Sequence, residues 1–434
     1  MTPRDLLVDS FRAALAAADP LVIVPSHLPS PPQGRTLVVG AGKAAASMAK
    51  AVEIAWPADK PLDGIVITRY AHGYKDEGGI ESLKRIRVVE AGHPVPDQAG
   101  EEGTKEIFAK ARSLIEHDLL LVLVSGGGSS LLALPAEGIP MADLKTVTKD
   151  LLLCGAPIQE MNIVRKHLSL IQGGRLAALT KAPVTALIIS DVTGDDPSAV
   201  ASGPTVADAS TYQNSLDILY AYRITPPLSI ARHLSRGARG EIAETPKPGD
   251  ALFARVDNRV IATAYASLSR AGAFFQQHGV TPMILGDSVT GEAREVAKVY
   301  AALARQIQCY HHPLKPPVAL ISGGECTVTM RSDAATPGRG GRCSEFLLSL
   351  AIELDGCEDI HALACDTDGI DGSEDNAGAY LAPDSISRAA AAGLIAKRLL
   401  QANDAYGFFG PLGDLIVTGA TRTNVNDYRV ILVS

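Results

Sequence analysis

Short aliphatic and β-branched runs alternate along the chain with longer Ala- and Leu-rich segments of helical period, the pattern of a doubly wound parallel sheet covered by helices. The strongest run is Leu119-Leu120-Leu121-Val122-Leu123-Val124. Six aliphatics are too few for a membrane span and suit a strand buried on both faces. The run breaks into Ser125-Gly126-Gly127-Gly128-Ser129-Ser130 and resumes at once as the apolar Leu131-Leu132. A strand, a glycine-rich turn and a helix start in succession predict an anion cradle, or at the least a tight strand-to-helix turn.

Around that run the periodicity predicts strands over 36–40, 64–69, 86–90 and 184–190, with helices over 43–55, 100–117, 142–153 and 161–180. An amphipathic helix opens the chain. Between 225 and 250 the residues Pro226, Pro227, Gly237, Gly240, Pro246, Pro248 and Gly249 interrupt any period and predict a boundary. Beyond it a second series has helices over 261–278 and 291–308 and strands over 281–285, 317–322, 362–366, 414–419 and 428–433. The expected fold is α/β with two lobes, a Rossmann-like, mostly parallel doubly wound domain over 1–240 and a smaller α/β domain over 241–434. The second lobe repeats the strand-to-glycine pattern in Val318-Ala319-Leu320-Ile321-Ser322-Gly323-Gly324-Glu325. Open α/β sheets bind ligands at the carboxyl ends of their strands, so an active site in a cleft between two such edges is expected.

Length and composition narrow the class. The chain has 434 residues, which suggests two or three domains, with 46% hydrophobic and 20% charged residues. A net charge of −8 argues against nucleic-acid or anionic-membrane binding, so an anionic ligand needs a local cluster of positive groups. Six cysteines show neither C-x-x-C pairing nor zinc spacing and read as reduced thiols. The N-terminus lacks a signal peptide pattern and no stretch is apolar enough to span a membrane. A soluble cytoplasmic protein, monomer or homodimer, acting on small molecules is expected.

Gly40-Ala41-Gly42-Lys43-Ala44-Ala45 fits G-x-G-x-x-A after a strand, but Asp59 and Asp63 precede the next strand instead of closing it as a ribose-binding acid would. Lys43 falls at a predicted helix start, where its charge opposes the helix dipole unless an anion offsets it; a phosphate ligand explains it better than a nicotinamide dinucleotide. No Walker A loop and no G-x-S-x-G elbow is present. Two acidic loops follow strands, Ser190-Asp191-Val192-Thr193-Gly194-Asp195-Asp196-Pro197 and Asp366-Thr367-Asp368-Gly369-Ile370-Asp371-Gly372. Such acids bind Mg²⁺, orient a hydroxyl or accept its proton, and at least one of Asp195 and Asp196 is expected in an Asx turn. Arg165, Lys166 and Arg175 fall on one predicted helix and its extension. Arg342 follows Gly340-Gly341, and Arg422 sits in Gly419-Ala420-Thr421-Arg422. A guanidinium held by a glycine-rich loop can fork onto a phosphate or carboxylate. His93 and His167 read as structural histidines.

In their order along the chain, Gly40-Ala41-Gly42-Lys43, Gly92-His93-Pro94-Val95-Pro96-Asp97, Ser125-Gly126-Gly127-Gly128-Ser129, Asn162-Ile163-Val164-Arg165-Lys166-His167, Ser190–Pro197, Ser322-Gly323-Gly324-Glu325, Gly340-Gly341-Arg342, Thr367–Gly372 and Thr423-Asn424-Val425-Asn426-Asp427 resemble the glycerate 2-kinase family with a C-terminal MOFRL domain. The resemblance covers essentially the whole chain. It implies phosphorylation of D-glycerate to 2-phosphoglycerate by ATP with Mg²⁺. Family members are also labelled hydroxypyruvate reductase, so an NAD(P)H-dependent reductase is the rival, and a non-catalytic sensor of phosphorylated metabolites is a third reading. The chain departs from the family where Cys343-Ser344-Glu345 replaces Asn-Gln-Glu, and where Ala420 and Arg422 replace Pro and Gly. On the kinase reading, Lys43 and Arg342 neutralise the moving phosphoryl group and Asp191 orients or deprotonates the 2-hydroxyl. Gly42, Ser125, Gly126, Gly127, Gly128, Ser129, Arg165, Ser322, Gly323, Gly324 and Glu325 bind substrate or phosphate. Asp195 and Asp368 are the expected Mg²⁺ or hydroxyl ligands.

Overall fold

A computed structural model describes residues 1–73, 83–330, 338–355 and 357–434. The chain opens on helix α1 (Pro3–Ala16), started by a capping box between Thr2 and Asp5 with Pro3 in the first turn. Its buried residues Leu7, Ser10, Phe11 and Ala14 recur at helical spacing and make one inward stripe. Two compact units follow, one formed by residues 20–261 and the other by residues 1–19 together with 262–434.

The unit of residues 20–261 is built on six strands: β1 (Thr36–Ala41), β2 (Leu62–Arg69), β3 (Ile86–Ala91), β4 (Leu119–Val124), β5 (Val184–Ile189) and β6 (Val256–Ala262), in the order β3-β2-β1-β4-β5-β6. The pairings from β3 to β5 are parallel, with Ala41 in register with Val124. Every residue of β1, β4 and β5 is buried, as their unbroken aliphatic runs require. Helices α2 (Ala45–Ala55) and α3 (Gln98–Arg112) agree with the expected periods. The long helix expected over 161–180 does not form. Helix α4 (Gly128–Leu131) is a single turn, α5 (Met141–Leu153) is as expected, and α6 (Ile158–His167) stops before Gly173 and Gly174, whose φ values of +60° and +78° turn the chain.

The other unit carries a mixed sheet of β7 (Thr281–Gly286), β8 (Val318–Ser322), β9 (Ile360–Asp366), β10 (Gly378–Leu381), β11 (Leu415–Ile416) and β12 (Asp427–Val433), in the order β11-β10-β9-β12-β8-β7. Only β7 and β8 pair in parallel; β12 runs antiparallel to both β8 and β9. The strand expected over 414–419 shortens to β11. Helices α7 (Ala264–Gln277), α8 (Ala293–Tyr310) and α9 (Arg342–Glu353) accompany the sheet, and α1 packs on α7, β9 and β12. Phe11 meets Tyr428 at 5.7 Å between rings, and the Tyr428 hydroxyl donates to Ser10 Oγ at 2.8 Å.

The boundary expected at 240/241 therefore moves. The Pro/Gly-rich stretch belongs to the first unit, because it leads into β6, the sixth strand of that unit's sheet, while residues 1–19 leave it for the other. Among the described residues no helix is long and apolar enough to cross a membrane.

Candidate active site

The turns after β1 and β4 leave neighbouring central strands and are tied together. Lys43 N donates to Gly126 O at 2.9 Å, Ala44 N to Ser125 Oγ at 3.0 Å, and Ser125 N to Ala41 O at 3.2 Å. Gly42 is obligatory there: φ is +140°, and a Cβ would lie 2.1 Å from Ser125 Oγ and 2.5 Å from Ser125 O. Helix α2 begins at Ala45, so Lys43 stands just ahead of the first helical turn instead of within it. Its Cγ lies 3.5 Å from where a Cβ on Gly127 would stand, and His93 Nε2 lies 2.9 Å from the same point. Lys43, the Gly127 turn (φ +81°) and His93 thus converge at the carboxyl edge of the sheet, the edge where such folds bind ligands. His93 was expected to be structural; its place beside the turn is set by the fold of its loop, which periodicity does not report.

Asp191 follows β5 next to β4 on that same edge and is half-buried. Asp195 has φ +53° and is half-buried, while Asp196 forms the expected Asx turn, accepting from Ser198 N and Ser198 Oγ at 2.8 Å each. The serines of the glycine turn are held from behind by Asn162, which a motif contained without a role, and by residues outside the motifs. Ser129 Oγ and Ser202 Oγ are 2.9 Å apart, Ser202 Oγ donates to Asn162 Oδ1 at 3.0 Å, and Asn162 Nδ2 donates to Ala199 O at 3.3 Å. Since Ser202 spends its proton on Asn162, Ser129 donates to Ser202. Ser130 Oγ donates to Gly127 O at 3.2 Å, and Gln172 Nε2 donates to Ser129 O at 2.9 Å. Arg165, in the last turn of α6, lines a small cavity with Ser129 and Ser130.

In the other unit Ser322 ends β8, Gly323, Gly324 and Glu325 follow it, and Arg342 opens α9. Arg342 is not an isolated cation. Its Nε is 2.7 Å from Asp427 Oδ1, its Nη2 2.7 Å from Asp366 Oδ2 and its Nη1 3.3 Å from the exposed Glu325. Burial opposes its charge, but Asp427, Asp366 and Glu325 outweigh that and hold its pKa above the ordinary value. Arg429 Nη2 reaches the other oxygen of Asp427 at 2.9 Å. Asp371 caps α9, accepting from Cys343 N and Ser344 N at 3.0 and 2.8 Å and from Ser344 Oγ at 2.6 Å; burial raises its pKa despite these donors. Ser344 of the departing Cys-Ser-Glu triplet is thus part of a cap, and Glu345 pairs with buried Arg294 at 2.6 Å. Asp368 is buried and accepts from Ile370 N at 2.9 Å through Oδ1, an Asx turn. Arg422 has φ +60°, which explains why a glycine is the ordinary choice there. Among the described residues no group of three His, Cys, Asp or Glu side chains is placed to hold a metal ion.

A parallel open sheet whose central strands end in tied glycine turns beside a lysine, joined in one chain to a second α/β unit rich in glycine turns, defines a two-unit α/β protein. The chain belongs to the family in which the domain of unknown function DUF4147, matched over residues 6–235, precedes a MOFRL domain, matched over residues 318–427. A putative hydroxypyruvate reductase of Agrobacterium vitis is 47% identical over 434 residues, covering 100% of this chain and 95% of that protein. A D-glycerate 2-kinase of Thermotoga maritima is 36% identical over 99% of this chain and 98% of its own. A crystal structure of a glycerate kinase from Thermotoga maritima matches with a TM-score of 0.85 at 34% identity, covering 99% of each chain.

Proposed function

We infer that this protein is a glycerate 2-kinase, transferring the γ-phosphoryl group of ATP to the 2-hydroxyl of D-glycerate. The end-to-end likeness to glycerate kinases in sequence and structure supports the reading. The observation that carries it is Lys43 at the junction of two bonded glycine turns, with Asp191 on the same sheet edge. Phosphoryl transfer asks for positioning and positive charge more than for covalent work. Lys43 supplies the charge. The Ser125–Ser129 turn beside it binds substrate or phosphate, and in the other unit Arg342, whose Nη1 meets the exposed carboxylate of Glu325, and the Ser322–Glu325 turn are candidate phosphate ligands. The 2-hydroxyl oxygen attacks the γ-phosphorus as its proton passes to Asp191, the bond from phosphorus to the ADP oxygen breaks, and ADP leaves. Mg²⁺ would neutralise charge on the phosphates. Because Mg²⁺ is usually held by one or two carboxylates and the phosphates themselves, either Asp195 or Asp368 is a candidate ligand without a preformed cage.

Two relatives carry the hydroxypyruvate reductase label, but the geometry favours the kinase. The strand that should close on a ribose-binding acid, β2, ends in Thr68-Arg69. Gly40, the first glycine of the apparent dinucleotide fingerprint, is used by the sheet: a Cβ there would lie 1.9 Å from Leu123 O. Six free thiols fit the proposed cytoplasmic location. Purified protein with Mg²⁺, ATP and D-glycerate should yield ADP and a phosphorus resonance of 2-phosphoglycerate. NADH or NADPH oxidation with hydroxypyruvate, and no ADP, would establish the reductase; ligand binding without turnover would establish a sensor.

A further inference from the structure

The cavity beside the glycine turn of the first unit has about 20 Å³ of free volume and is lined by Arg165, Thr148, Ser169, Gln172, Ser129 and Ser130 among others, with Pro94 and Pro96 at its wall. That is room for one or two water-sized groups and too little for a chain of phosphates. Among the described residues no carboxylate lines it.

The donors left over in this cavity can be counted. Gln172 Nε2 is committed to Ser129 O at 2.9 Å and Leu132 O at 3.3 Å. The Ser129 and Ser130 hydroxyl protons point back into the turn, toward Ser202 Oγ and Gly127 O. Ser169 is different. Its buried Oγ accepts from Ile171 N at 3.1 Å and Gln172 N at 3.2 Å, so its own proton remains to be donated. Thr148, on α5, brings a second hydroxyl. Arg165 brings a half-buried guanidinium that forms no ion pair among the described residues, and burial alone lowers its pKa. A guanidinium and two hydroxyl donors, with no acid to match them, are the complement of a small, flat, singly charged acceptor.

Building on the kinase reading, we propose that this cavity holds the carboxylate of the acceptor, with Arg165 as the residue that makes the protein select small 2-hydroxy carboxylates over neutral polyols and amides. The nucleotide phosphates are then left to the Lys43 turn. The Ser125–Ser130 segment serves as the wall dividing the two, with its serine protons turned away from the carboxylate side.

The test is steady-state kinetics of the full chain with D-glycerate and with its uncharged amide, D-glyceramide, against ATP. Arg165→Met should lower kcat/KM for D-glycerate by about 100-fold, the scale of a lost bidentate charge-assisted pair, by raising its KM. The KM for ATP and the low activity on D-glyceramide should stay within about twofold, so that the preference for the acid collapses. Arg165→Lys, which keeps the charge and loses the fork, should recover only part of the loss. Should Arg165→Met fold poorly, Thr148→Val, nearly isosteric, should raise the KM for D-glycerate about fivefold with that for ATP unchanged. A raised KM for ATP with an unchanged KM for D-glycerate would overturn the assignment and make the cavity a phosphate site. If the wild-type protein formed no ADP with D-glycerate, the kinase reading itself would fall; an active wild type whose Arg165→Met variant keeps its preference for the acid overturns only the carboxylate site.

Discussion

Arg342→Met tests what holds the glycine-rich edge of the second unit together. Asp366 and Asp427 are each about 2% exposed, and the one guanidinium of Arg342 reaches both at 2.7 Å. Methionine fills much of the same volume and leaves the carboxylates buried with less positive charge. Removing one partner from a buried ion pair typically costs about 3–5 kcal/mol. The lower end applies here, because Arg429 still holds Asp427 at 2.9 Å and Asp368 N still donates to Asp366 at 3.0 Å. A loss of about 3 kcal/mol in a unit of this size lowers its Tm by roughly 6–12 °C. Scanning calorimetry of wild type and variant at neutral pH and fixed salt measures it, and Arg342→Lys should recover less than half, since an ammonium cannot reach both carboxylates in the same fork. A drop in Tm below 2 °C for Arg342→Met would refute the reasoning. The arginine would then be an ordinary surface cation, and any loss of turnover would have to come from its contact with substrate alone.

Other predictions follow from the first unit. Lys43→Met should leave the Tm within about 2 °C and lower kcat by about 10²–10³-fold in a coupled ADP assay, the usual scale for removing one group that stabilises transition-state charge. Gly128→Ala should destabilise by about 1–3 kcal/mol in urea unfolding, because the new Cβ would lie 2.5 Å from Ala201 Cβ and 2.9 Å from Ala41 O. Ala201 itself has φ +50°, so Ala201→Gly should relieve part of that loss in the double variant, giving less than the sum of the single effects. His233 is buried, and burial, with Arg175 and Arg236 adding to it, lowers its pKa against the pull of the His167 carbonyl it meets at 3.0 Å. The unfolded chain therefore takes up the proton first as pH falls. The stability His233 contributes is present above about pH 6.5 and is lost as pH drops through the lower folded value, and His233→Gln should flatten the Tm in that window.

What the sequence revealed follows from what is local in it. The six aliphatics of β4 and the glycines after them could be little other than a buried strand and its turn, and Lys43 stood out because a cation at a helix start is unfavourable without a partner. The direction of β9, β10 and β12 was hidden, since an apolar run has the same period whichever way its neighbour points. Strand β6 was hidden by Asp257, Asn258 and Arg259, polar residues in a half-buried edge. Arg342 read as an available cation because its three acids lie at 325, 366 and 427, distances in sequence that no spacing argument spans. The role of Arg165 rests on which hydroxyl protons are already committed, a property only of the assembled cavity.

The membership of α1 has a consequence for how the chain is made. Leu7, Phe11 and Ala14 share a core with Leu268, Phe275, Ala319 and Tyr428, so helix α1, made before residues 20–261, waits for its partners until all of them have been synthesised. At roughly 5–20 residues per second that wait is on the order of tens of seconds. During it an apolar helical face has no native neighbour, whereas the cores within residues 20–261 take no residue from it. The second unit is therefore assembled from two segments that flank the other unit in sequence. Residues 262–434 expressed alone would present an uncovered apolar surface where α1 belongs, and supplying residues 1–19 as a separate peptide should restore that fragment's solubility.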